Sequence, residues 1–188
     1  MMNITVILIG IILGLSLAGP PGGVNAIIAN ESLKSKLHGA SVGLGAMSAD
    51  IAFFIIVYIL RAYIPEILLN VIYFIGGFLM LFIAYMILNS KIPRFSRKGN
   101  YFMGLSLGLT NPFQIIWWFT VGIFMLNTLS IFSVIGLFIG ILIWIFTFPY
   151  AINKFGLKYE KYIKYASMII LIIFGIYMIY SGIIRMGL

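Results

Sequence analysis

GLSLAGPPGGVNAI, residues 14–27, begins as a good apolar helix and then stops being one. Gly19-Pro20-Pro21-Gly22-Gly23 stands where the next turns should be. Proline has no amide donor, and its ring clashes with the carbonyl one turn back. Glycine leaves the backbone loose. In a soluble protein such a run is an ordinary loop. Here it interrupts an apolar segment long enough to cross a bilayer. A helix broken inside lipid bares polar backbone, which must be covered by protein or face a wet cavity.

The bilayer setting follows from composition. Of 188 residues, 63% are hydrophobic and 9% charged, with a mean hydropathy of +1.16. A soluble domain is about 45–50% apolar and about 25% charged. A spanning helix takes about 20 residues, so six spans and their loops use up the chain and leave no soluble domain. The formal net charge of +8 is read as loop charge that sets topology, not as a nucleic-acid footprint. No cysteine occurs, which excludes disulfides, haem attachment and thiol relays. Residues 4–18 lack the basic start of a signal peptide, and Pro-Pro follows Gly19 where cleavage would fall; the segment is expected to be retained.

Uncharged stretches place the spans at about 4–30, 40–60, 67–89, 101–126, 131–152 and 165–184. Spans four and five share an uncharged run that turns at Asn127-Thr128-Leu129-Ser130. No alternating strand pattern appears, so the spans are helices. The loops alternate in charge. Lys34 and Lys36, then Lys91, Arg94, Arg97 and Lys98, then Lys154, Lys158, Lys161 and Lys164 fall on one side. Arg61 and Arg185 fall on the other. The positive-inside rule puts the basic loops in the cytoplasm and both termini outside.

The halves resemble each other. GLSL at 14–17 returns at 104–107, SVGLG at 41–45 faces SVIGL at 133–137, and FIAYMI at 82–87 faces FGIYMI at 174–179. Each half has three spans, so the second copy enters from the opposite side. The expected fold is an all-α integral membrane protein of two inverted three-helix repeats, with helices one and four broken. The whole chain, 1–188, is one transmembrane domain: repeat one about 1–90, a basic loop about 90–99, and repeat two about 100–188.

The second GLSL is followed by GLTNPF, so Asn111-Pro112 matches the first break. Paired interruptions of this kind point to a transporter's substrate site. A helix resuming near Gly22–Asn25, or near Pro112–Gln114, offers free amides and a positive dipole end to a carboxylate. Asn25, Thr110, Asn111 and Gln114 gather beside the breaks. The plain alternative is a pair of packing kinks.

Glu31, Glu66 and Glu160 are expected in loops, whereas Asp50 sits mid-span. A charge there costs at least about 2.5 kcal/mol on insertion scales. No Lys or Arg lies within a span. The partner of Asp50 is then a substrate ammonium, a coupling proton or cation, or neutral donors such as Asn25 and Asn111. A protonated aspartic acid bonded for packing is the alternative. His38, beside Lys34 and Lys36, reads as a solvated loop residue, and no second His or Cys exists to build a metal site with it. Gly-x-x-x-Gly pairs start at Gly10, Gly39, Gly104 and Gly136. They suit close helix packing within the monomer first and in a homodimer second. Trp117, Trp118 and Trp144 read as packing and membrane-interface anchors.

The order GPPG, NESLKSKLHG, GLGAMSAD, GGFLMLFIAYMIL, LTNPF resembles the lysine exporter family, LysE/RhtB type, along nearly the whole chain. The resemblance implies a six-span prokaryotic inner-membrane exporter of amino acids or similar small solutes, driven by an ion or proton gradient. By resemblance Gly19, Pro20 and Pro21 match the first motif, Asp50 the span-two acid, and Asn111 with Pro112 the span-four motif. Phe113 departs from it, because many members carry Lys there. The predicted site is therefore Gly19, Pro20, Pro21, Gly22, Asn25, Asp50, Thr110, Asn111, Pro112 and Gln114, with no cofactor. The leading function is a secondary exporter of a small zwitterion. A metal-ion exporter or a passive channel of the same superfamily is the alternative. A membrane enzyme is not expected, since no thiol, metal cluster or carboxylate pair is available to one.

Overall fold

Gly19 and Pro20 end the first helix as their chemistry requires. In the computed structural model, which describes residues 4–20, 22–89, 99–155 and 160–186, α1 (Ile4–Ala18) stops there and α2 (Gly23–Lys34) starts again at an angle of 80°. Ser35 accepts from the Leu37 amide and opens α3 (Lys36–Leu60). A 3-10 turn, Arg61–Tyr63, leads to α4 (Glu66–Asn89).

Asn100 caps α5 (Tyr101–Thr110) by accepting from the Met103 amide. Pro112 then takes the first position of α6 (Pro112–Leu129), where its missing amide costs nothing. This helix widens to π geometry over Trp118–Gly122 and Met125–Leu129. Ser130, at φ 74°, turns the chain into α7 (Ile131–Phe155), and α8 (Glu160–Met186) follows. No strand occurs among the described residues.

Five of these helices are long and apolar enough to cross a membrane, or six if α1 and α2 form one span. The segment expected as span four, 101–126, is divided: α5 has only 10 residues, and α6 is long enough by itself. Outward faces are apolar. Ile51, Ile55 and Ile59 on α3, and Ile169, Ile173 and Ile176 on α8, are exposed. Such faces suit lipid and not water.

Lipid is as apolar as leucine, so helices here associate through close packing, not hydrophobic burial. The glycine pairs do this within the chain. A Cβ on Gly10 or Gly14 of α1 would run into the carbonyls of Ser133 and Leu137 on α7, and one on Gly136 or Gly140 into those of Ile7 and Ile11. Gly104 of α5 meets the Val42 carbonyl of α3 in the same way, and Gly45 meets that of Tyr101. Thus α1 packs on α7, α5 on α3, and α4 on α8, where Gly77 and Gly175 meet. Tyr73, Met80, Phe124 and Met178 fill the centre between α4, α6 and α8.

Glu31 is not in a loop. It lies in α2, is 4% exposed, and accepts from Lys34 Nζ at 2.9 Å and the Gly99 amide at 3.1 Å. Glu66 and Glu160 begin α4 and α8. Most of the basic loop at 90–99 lies outside the described residues.

Candidate functional site

The face of α3 that carries Gly43, Ala46, Met47 and Asp50 lines a cavity of about 290 Å³. Those positions are spaced i, i+3, i+4, i+7 and so share one helix face. Both chain interruptions reach the same cavity. Pro20, Gly22, Gly23 and Asn25 enter from the first, and Asn111 and Gln114 from the second. Hence six predicted residues converge: Pro20, Gly22, Asn25, Asp50, Asn111 and Gln114. Gly19, Thr110 and Pro112 are not in the lining. The Thr110 hydroxyl is exposed and donates to the Ser106 carbonyl of its own helix. Pro21 lies outside the described residues.

Asp50 is 8% exposed and lies about 21 Å along α3 at 1.5 Å per residue. Its Oδ1 accepts from Gln114 Nε2 and from Trp118 Nε1, each at 2.7 Å. Both donors come from α6, where they stand four residues apart on one face. Its Oδ2 has no partner among the described residues. Asn25 and Asn111, named as possible donors, do not bond to it: the Asn25 amide donates to backbone carbonyls, and Asn111 Oδ1 accepts from the Phe113 amide. Trp118, expected as a packing anchor, replaces them, and a register signal for it was available: it sits one turn beyond Gln114.

Asn25 holds the first break together. Its amide donates to the carbonyls of Ala18 at 2.6 Å and Pro20 at 2.7 Å, which the break has freed. Trp144 Nε1 of α7 donates to its Oδ1 at 3.2 Å. Asn25 is thus fully used as a donor and positions the break.

The two resumed helices differ at their starts. Asn111 Oδ1 accepts from the Phe113 amide at 3.0 Å, so the start of α6 is capped. Gly22, which precedes α2, supplies no side-chain cap. The first-turn amides of α2, Gly23 to Asn25, have no acceptor within the helix. A Cβ built on Gly22 or Gly23 would meet nothing within 4 Å. The start of α2 therefore opens into the cavity as a bare positive dipole end.

Trp117 also lines the cavity. It is 1% exposed, and its Nε1 is a buried donor without a partner. Such a group costs about 1–3 kcal/mol. The remaining lining is apolar, and among the described residues no Lys or Arg takes part in it. No group of three or more His, Asp or Glu gathers among the described residues. His38 is exposed at the start of α3.

Residues 15–183 match the family described as LysE type translocator. The chain belongs to that family. It is 30% identical to the "Putative amino acid efflux protein YcgF" of Bacillus subtilis (strain 168), over 92% of this chain and 94% of that one. No solved structure matches. As a LysE type translocator the chain is a multi-pass membrane transporter and not an enzyme. In this translocator the cavity joins one buried carboxylate to one uncapped helix end, with both interrupted segments on its wall.

Proposed function

We propose that this translocator exports amino acids, or similar small zwitterions, across the cell membrane as a gradient-driven secondary transporter. One observation carries the reading: a single cavity holds a carboxylate oxygen without a protein partner, Asp50 Oδ2, and the bare amino end of α2. A zwitterion carries one group for each. Its carboxylate meets the amides of Gly23 to Asn25. Its ammonium meets Asp50, which a coupling proton or cation neutralises when the site is empty. Gln114 and Trp118 keep Oδ1 fixed and leave Oδ2 free for this exchange. The efflux name of the Bacillus subtilis relative supports export.

The same reading takes the fold as two inverted repeats, with interrupted helices α1–α2 and α5–α6 at corresponding places. The packing supports it. The first helix of each half lies on the second helix of the other, α1 on α7 and α5 on α3, and the third helices, α4 and α8, lie on each other. That exchange is what a two-fold axis in the membrane plane produces. The basic loops then face the cytoplasm and both termini face outward.

Counter-flow of labelled amino acids into liposomes holding the purified protein tests the function. The wild type accumulates label of one solute class. Asp50→Asn, at equal yield and with an unchanged elution profile, falls to the level of empty liposomes. Full counter-flow by Asp50→Asn would remove the carboxylate from the mechanism.

A further inference from the structure

Resting on that reading, we infer that the solute is a mid-sized α-amino acid with an uncharged, apolar side chain, and that lysine and the acidic amino acids are poor substrates. The charge inventory of the cavity comes first. It offers one carboxylate, Asp50, and one bare helix end, at Gly22 and Gly23. The α-ammonium and α-carboxylate use both. Among the described residues, a second ammonium, as in lysine, finds no second acid in the lining, and a side-chain carboxylate finds no Lys or Arg. Glu31 cannot serve, since it lies outside the lining and is paired with Lys34. An unpaired charge in a buried site costs several kcal/mol.

The walls come second. Ile83 and Ile87 of α4 form one side. Ile141 and Ile145 of α7, 5% and 2% exposed, form another. Met47 of α3 and Phe113, next to Gln114, also line it. The two isoleucine pairs are spaced i, i+4, so α4 and α7 each present an apolar face.

The size comes third. The cavity has a volume of about 290 Å³. That is room for leucine, isoleucine or methionine with its head group.

The test is competition in the liposome counter-flow assay, with labelled leucine as the reporter. Norleucine is the key competitor, because it keeps the four-carbon side chain of lysine and has a hydrogen in place of the ammonium. Norleucine, isoleucine and methionine compete with leucine, and lysine and glutamate compete at least about tenfold less well. Lysine competing as well as norleucine overturns this inference and leaves the carrier reading standing. No counter-flow of any amino acid, from protein that elutes as a single folded species, overturns both. Ile83→Glu adds the missing acid and is expected to improve lysine competition about tenfold relative to norleucine. A folded Ile83→Glu protein with wild-type selectivity counts against the wall assignment, and the wild-type competition decides alone if that variant does not fold.

Discussion

At the scale of single residues, the site is a division of labour among polar groups. Asp50 has one oxygen tied to α6 and one that, in the proposed mechanism, takes the solute. Trp118→Phe keeps an aromatic ring, smaller than the indole, and removes the 2.7 Å bond to Oδ1, with Gln114 still in place. A hydrogen bond to a charged group is worth about 1.5–3 kcal/mol. Counter-flow is expected to fall about tenfold, with a lowered melting temperature because the smaller ring also leaves a gap at a fully buried position. Wild-type rates would mean that Trp118 only fills space.

Asn25 has the opposite profile, because its amide and its carbonyl are spent on backbone and Trp144. Asn25→Ala leaves the Ala18 and Pro20 carbonyls unbonded and is expected to lower stability by on the order of 2 kcal/mol. Denaturant melts in detergent measure this, and an unchanged midpoint would show that water replaces the amide without cost.

At the scale of elements, glycine has a sign that can be read. In an ordinary exposed helix Gly→Ala stabilises by up to about 1 kcal/mol. On α1, α5 and α7 the added methyl meets a neighbouring carbonyl, and backbone cannot step aside as a side chain can. Gly14→Ala and Gly104→Ala are therefore expected to destabilise by about 1–3 kcal/mol. Gly23→Ala, with open space around it, is expected to leave stability within about 0.5 kcal/mol. Equal effects at all three positions would contradict the packing of α1 on α7 and of α5 on α3.

At the scale of the whole molecule, the proposed topology places the start of α3 and the turn after it on opposite sides of the membrane. The chain has no cysteine, so single cysteines report cleanly. Lys36 is exposed at the start of α3, and Tyr63 is 80% exposed after it. Lys36→Cys is expected to react with a membrane-impermeant maleimide only after cells are opened. Tyr63→Cys is expected to react in intact cells. The reverse pattern would invert the orientation.

Composition and apolar run length by themselves determined the all-helical membrane class, because lipid satisfies no backbone groups and admits few alternatives. Local chemistry also located the interruptions: Gly19-Pro20 ends α1 and Asn111-Pro112 separates α5 from α6 whatever surrounds them. The charge-free span around Asp50 marked that residue for the same reason. Partners were another matter. Asn25 looked like a ligand and serves the break, Trp118 looked like an anchor and holds the acid, and Glu31 looked like a loop residue and is buried against Lys34. Which amide faces which carbonyl depends on how helices far apart in sequence are rotated against each other. That rotation is set by glycine contacts between α1 and α7 and between α3 and α5, and only the tertiary structure holds it.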